Sequence, residues 1–286
     1  VMLYGMSWLY GITQSLDLPQ VGAKITAAAS SDGHLPAVVL IAVVCIMVGF
    51  GYKISAAPFH MWTPDVYEGA PTSITAFLSV GPKAAGFAIL IRFFNEALQA
   101  KPLLDDAVTP WATVIGILAM LTMFVGNLTA IVQNNVKRML AYSSIAHAGY
   151  MLLALCVFDG SGARAIMFYI VTYALMNLGA FLVVAAIAEK SNDSEDISGF
   201  NGLATRAPVL AITMAIFLFS LAGLPPFAGF IGKFYIFAAI IHVGGAWNWV
   251  LAVMGVVNSA ISLFYYARVV RAMFLTKADT NDSFEP

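Results

Sequence analysis

The chain has 286 residues, of which 60% are hydrophobic and only 10% charged, with a formal net charge of −1. A soluble domain carries about 25% charged residues, so the sequence lacks the polar coat that a water-soluble fold of this size needs. The near-neutral charge gives no field for nucleic acid. Apolar runs of about 18 residues or more recur along the chain, and such runs cross bilayers. The fold class is therefore all-α integral membrane, with lipid as the surrounding solvent.

Eight hydrophobic segments follow in chain order: 1–13, 36–57, 72–98, 110–132, 138–158, 163–189, 207–242 and 247–276. The first, "VMLYGMSWLYG", yields roughly 17 Å of helix against a hydrocarbon core of about 30 Å. It reads as a partial helix at the cut end of a longer chain, followed by about seven full crossings. Residues 14–35 read as a linker. Segment 36–57 closes on "GYKISAAPFH", where Pro58 sets one candidate helix break. The polar exit after it, "PFHMWTPDVYEGAP", carries Asp65 and Glu68.

Segment 207–242 is too long for one straight span, and Pro225 and Pro226 inside "LAGLPPFAGF" remove backbone donors and force a break. An interrupted membrane helix exposes amides and carbonyls that must line a cavity or pack on protein. Cys45 and Cys156 stand inside apolar runs without metal or redox spacing and read as packing residues. The stretch "EKSNDSEDISGFNG", with Glu189 at its start, reads as a solvated loop.

Basic residues set the orientation. Lys24, Lys101 and Arg164 belong to one side, while Lys137, Arg138, Lys190, Arg206, Arg268, Arg271 and Lys277 belong to the other. The second side is cytoplasmic by the positive-inside rule.

Three lysines interrupt the apolar pattern: Lys53 near the end of its segment, Lys83 about 16 Å into its own, and Lys233 just after the proline break. A lysine at the bilayer centre costs about 2.5–3.5 kcal/mol on insertion scales. Snorkelling to the headgroups is the competing reading, strongest for Lys53 and weakest for Lys83. A buried ammonium whose charge state is set by its neighbours is what a proton relay requires. His147 in "LAYSSIAHAGYM" is also placed mid-membrane, as a relay element or as a packing histidine. Tyr142, Ser143 and Ser144 precede it, as water-holding groups or as packing. Asp65 and Glu68 read as partners for Lys53, as a proton inlet, or as solvated loop residues.

The stretches "GYKISAAPFHMWTPDVYEGAPTSITAFLSVGPKAAGF", "NNVKRMLAYSSIAHAGYML" and "SLAGLPPFAGFIGKFYIF" together resemble the subunit N family of bacterial proton-pumping NADH:quinone oxidoreductase, respiratory complex I. The resemblance runs through nearly the whole chain. It implies an antiporter-like bundle built from inverted repeats, with residues 1–106 the later part of the first repeat, 107–276 the second and 277–286 a polar tail. It also implies that Lys53, Lys83 and Lys233 are proton-transfer residues on successive key helices, Lys233 on the outlet side. A glutamate that the family pairs with the Lys53 position would lie before Val1.

Further implications concern location and partners. The family sits in the bacterial plasma membrane beside other membrane subunits of complex I, including further antiporter-like ones. NAD, FMN, iron–sulfur clusters and quinone are bound by other subunits, leaving no cofactor, metal or redox site in this chain. The sequence agrees in showing neither a Gly-rich dinucleotide fingerprint nor a cysteine cluster. A subunit of a multi-subunit Na⁺/H⁺ antiporter shares the lysine pattern and is the alternative; the wording "FHMWTPDVYEGAP" favours complex I.

Overall fold

The computed structural model describes residues 1–32, 37–98, 110–158, 160–188 and 195–277, apart from the side chains of residues 29–32 and 110. The expectations placed on Lys101, Glu189, Lys190 and the tail beyond Lys277 lie outside the described residues. The described α-helices are α1 (Met2–Thr13), α2 (Leu18–Asp32), α3 (Ala37–Ile54), α4 (Trp62–Gly69), α5 (Thr72–Ala97), α6 (Pro110–Ile131), α7 (Val136–Leu155), α8 (Gly160–Ala188), α9 (Leu203–Arg206), α10 (Pro208–Ala222), α11 (Ala228–Val243) and α12 (Ala246–Leu275). A short 3₁₀ turn, Ile197–Phe200, precedes α9.

Five of these are long and apolar enough to cross a membrane: α3, α5, α6 from Trp111, α8 and α12. Outward-facing Phe77, Leu175, Leu182 and Phe264 give them the apolar exterior that lipid demands. The expected crossing over 138–158 is α7, whose first turn carries Lys137 and Arg138. The expected broken crossing over 207–242 is the pair α10 and α11. At 15 and 16 residues, each gives roughly 22–24 Å of helix, and residues 223–227 separate them.

The centre of the bundle is α7. Every one of its residues except Arg138 and Tyr142 is buried, with α4, α5, α6, α8, α11 and α12 packed around it. Without a hydrophobic driving force between helices in lipid, close backbone approach supplies the attraction. Gly126 of α6 shows this: a Cβ there would lie 2.6 Å from the Ala146 backbone nitrogen of α7.

Two helices arise where the sequence reading placed linkers. Residues 14–35 contain α2, which is amphipathic and therefore invisible to a search for continuous apolar runs. Its Val21 and Ile25, four residues apart, are buried. Lys24 reaches back to donate to the Thr13 carbonyl at 2.5 Å, satisfying an orphan acceptor at the end of α1. The polar exit contains α4, which starts with Pro64 and Asp65 in its first turn, where a missing N–H and a negative charge are both tolerated. Near the expected break at Pro58, α3 ends four residues earlier at Ile54, Ser55 takes φ 63°, and a turn that contains Pro58 leads to α4.

The loop around Glu195 also differs from its reading as purely solvated. Residues Asn135 and Asp196 form an isolated antiparallel bridge. Val136 N–H donates to the Glu195 carbonyl at 2.8 Å, and Ile197 N–H donates to the Asn134 carbonyl at 2.9 Å. Gly199 and Phe200 are buried behind this clip. Several basic residues assigned to this end tie helix termini together: Arg206 donates to the Gly199 and Asn201 carbonyls, and Arg268 donates to the Ile131 carbonyl at 2.9 Å.

Candidate functional site

Lys83 sits on α5 directly after Pro82, which has no N–H to give the carbonyl four residues back. Lys83 is 2% exposed. It donates to Ser144 twice, to the carbonyl at 2.8 Å and to Oγ at 2.7 Å. The hydroxyls of Tyr67 and Tyr173 approach Ser144 without reaching hydrogen-bond geometry.

One turn further along α7, His147 is 1% exposed. Its Nδ1 lies 2.7 Å from the Tyr169 hydroxyl and its Nε2 lies 3.3 Å from the Tyr266 hydroxyl. Tyr266 is in turn hydrogen-bonded to Ser143. The rings of Tyr150, Tyr169 and Tyr173 surround the imidazole. A neutral imidazole carries one donor and one acceptor nitrogen, so both phenols are usable partners.

Lys233 owes its seat to the helix break. Its Nζ donates to the carbonyls of Leu221 and Ala222 at 3.1 and 2.9 Å, and to Ser259 Oγ at 2.9 Å. Those carbonyls close α10, have no helical donor, and form the negative end of its dipole. Ser259 also donates to Ala222 at 3.0 Å. On its other side, the ammonium stands 4.7 Å from the centre of the Tyr150 ring, within cation–π range.

Gly223 ends α10 with φ 85°, a left-handed conformation that favours glycine. A Cβ there would also meet Lys233 Cδ at 2.9 Å.

Polar groups therefore succeed one another through the core. The order is Lys83, Ser144, the Ser143–Tyr266–His147–Tyr169 cluster, Tyr150, and Lys233 with Ser259. The Tyr150 hydroxyl is buried without a protein hydrogen bond and approaches Asn127 and Ser259. Asn127 bonds Asn258 and Tyr265 across α6 and α12, at 3.0 and 3.1 Å. Near Lys83, Asn177 of α8 donates to Ser79 at 2.6 Å. Buried polar atoms of this kind are ordinarily satisfied by ordered water.

Three expected groups lie apart from this run. Lys53 is exposed and makes no hydrogen bond with the described residues, although its stem passes close to Gly86, one turn beyond Lys83. Asp65 and Glu68 do not pair with Lys53. Both accept from Arg138 Nη1, at 2.9 and 2.6 Å, because the first turn of α7 faces α4. The neighbouring Lys137 is buried, donating to Glu195 Oε1 at 2.7 Å and to the Ala70 carbonyl at 2.8 Å.

Residues 1–262 match a family model described as NADH:quinone oxidoreductase/Mrp antiporter, transmembrane. The chain belongs to this family. Among curated relatives of this NADH:quinone oxidoreductase/Mrp antiporter member, NADH-quinone oxidoreductase subunit N 2 of Sorangium cellulosum is 62% identical, over 99% of the chain and 56% of the relative. Subunit N of an Anaeromyxobacter species is 51% identical, over 96% of the chain and 56% of the relative. The chain thus spans about half the length of the curated relatives it matches.

Among solved structures, respiratory complex I from Thermus thermophilus contains a chain 35% identical with a TM-score of 0.78. That match covers 100% of this chain and 58% of that one. The Mrp complex from a Dietzia species shares the fold, with a TM-score of 0.84 at 22% identity over 100% of this chain and 50% of that one.

Of the residues that the sequence of this antiporter-family chain singles out, Lys83, His147 and Lys233 are buried and Lys53 is not, while the phenols around His147 went unmarked. Tyr150, Tyr169, Tyr173 and Tyr266 lie in apolar runs where an aromatic is usually packing. The usable signal was on α12, where Asn258, Ser259, Ser262, Tyr265 and Tyr266 recur at three- and four-residue spacing along one face.

Proposed function

We propose that the complete protein is subunit N of a bacterial proton-pumping NADH:quinone oxidoreductase and moves protons through the membrane along its buried lysines. The reading is supported by the row of buried polar side chains between Lys83 and Lys233, in which three groups lie in succession on α7 and its neighbours: Lys83 with Ser144, the Ser143–Tyr266–His147–Tyr169 cluster, and Lys233 with Ser259 against the Tyr150 ring. The printed names of relatives up to 62% identical support it further.

In this reading α6–α12 form one complete inverted repeat, residues 107–276, and residues 1–106 the later part of another. The protein sits in the bacterial plasma membrane against other membrane subunits, among them antiporter-like neighbours. NAD, FMN, iron–sulfur clusters and quinone belong to those other subunits.

The chemistry in this chain is proton exchange. Lys83 passes a proton toward Ser144 and the water its buried phenols call for. His147 takes a proton at one ring nitrogen and releases it at the other, toward Tyr169 or Tyr266. Lys233 receives it beside the open carbonyls of α10, whose partial negative charge favours the ammonium. Asp65 and Glu68, held by Arg138 at the end of α7, are the inlet-side carboxylates, and Lys53 joins the row through the resemblance.

Lys83→Ala in the complete, assembled protein tests this. Quinone-coupled proton translocation into sealed vesicles is expected to fall about tenfold or more, the scale on which a positioned proton-transfer group contributes, with assembly intact. Undiminished translocation in a fully assembled variant would remove Lys83 from the path.

A further inference from the structure

A groove of about 440 Å³ lies between the first turns of α8 and the last turns of α11, and none of the residues of the polar run lines it. Its two ends differ in chemistry. Ser161 and Arg164 stand within roughly 6 Å of the start of α8, and His242 stands in the last turn of α11. Further from that end, Phe168 and Tyr235 meet edge to face with ring centroids 5.1 Å apart. Small side chains, Ala165 and Ala238, form the floor between them.

We propose that this groove holds one anionic phospholipid, with its phosphate on Arg164 and His242 and an acyl chain lying over Ala165 and Ala238 against the Phe168–Tyr235 pair. The polarity gradient runs along the helix axes: donors where two membrane helices end, aliphatic and aromatic surface toward the bilayer interior. That is the profile of a lipid from headgroup to tail, and a soluble anion would use only the donor end. Guanidinium and imidazole N–H groups suit a phosphodiester. An apolar helix from a neighbouring subunit would instead bury the Arg164 charge without a counter-ion. Basic pockets between membrane helices are established headgroup sites in general. The inference needs only that α8 and α11 lie in the membrane, and it is independent of the proton-transfer reading.

The test uses the complete protein, purified in its complex, delipidated and then titrated with phosphatidylglycerol or phosphatidylcholine before native mass spectrometry. Wild type is expected to retain phosphatidylglycerol about tenfold better than Arg164→Gln, the factor that one charge-assisted bond of about 1.4 kcal/mol supplies. Ala238→Trp, which fills the groove and leaves the donors in place, is expected to lose the lipid as well. If that variant does not assemble, Arg164→Gln and His242→Gln carry the test alone.

Equal retention by wild type and variants would overturn the proposal. So would equal preference for the two lipids, or full displacement by millimolar inorganic phosphate. A neighbouring subunit's helix seated in the groove, seen in a structure of the complex, would overturn it too.

Discussion

Exchanging Lys137 for methionine is expected to lower the thermal midpoint of the solubilised complete protein by several degrees, and exchanging Glu195 for alanine by more. The pair is 4% and 18% exposed with a 2.7 Å contact. Breaking such a pair from one side costs about 3–5 kcal/mol, because the remaining charge stays buried without compensation. The two sides are unequal. Lys137 lies deeper, and it stands in the first turn of α7, where the helix dipole disfavours a positive charge.

An orphaned Lys137 is therefore worse than an orphaned Glu195, which retains some water. The double variant Lys137→Met with Glu195→Leu leaves neither charge behind and is expected to recover much of the loss. What the pair secures is the N-terminal end of α7, the helix that presents Ser143, Ser144, His147 and Tyr150 to the rest of the site. A Lys137→Met midpoint within a degree of wild type would show that the two bridging backbone bonds to the Glu195 segment suffice.

Gly229→Val is expected to be severely damaging, since a Cβ there meets the closest contact among the described glycines. Gly229 is the second residue of α11 and donates its N–H to Ser220 Oγ at 3.1 Å. A Cβ on it would fall 1.8 Å from the Ser220 carbonyl oxygen, a backbone atom that cannot swing aside. The end of α10 and the start of α11 would have to separate by an ångström or more. Lys233 would then lose its bonds to Leu221 and Ala222, so the same change attacks both packing and site. The expected result is a several-fold drop in membrane-inserted protein, and little translocation by what remains. Wild-type amounts with wild-type translocation would mean that the break at Pro225–Pro226 tolerates a far wider gap than its contacts indicate.

The parts of this molecule that follow from one-dimensional physics could be read in its sequence. Lipid requires apolar runs, so the crossings were visible; proline cannot donate, so the break before Lys233 was visible. A lysine deep in hydrocarbon is costly, which marked out Lys83 and Lys233, and both are buried and hydrogen-bonded.

What stayed hidden depends on three-dimensional register. Glu195 is 58 positions from Lys137, and no local pattern announces that partnership. Arg138 takes Asp65 and Glu68 because α4 turns toward α7, a choice the spacing of the acids does not encode. The phenols around His147 come from α7, α8 and α12 and became a cluster only on packing. Lys53 resembles Lys83 as a residue in an apolar run, yet it ends α3 on an exposed face. The amphipathic α2 offers no continuous apolar run, so its sequence reads as a linker.

The most direct measurement is the number of protons translocated per electron in sealed vesicles containing the complete, assembled protein with Lys233→Ala. In the proposed path the buried ammonium beside the end carbonyls of α10 is the last cation, so its removal is expected to cut the ratio well below wild type while the amount of assembled protein is unchanged. A wild-type ratio in that variant would contradict proton passage through Lys83, His147 and Lys233.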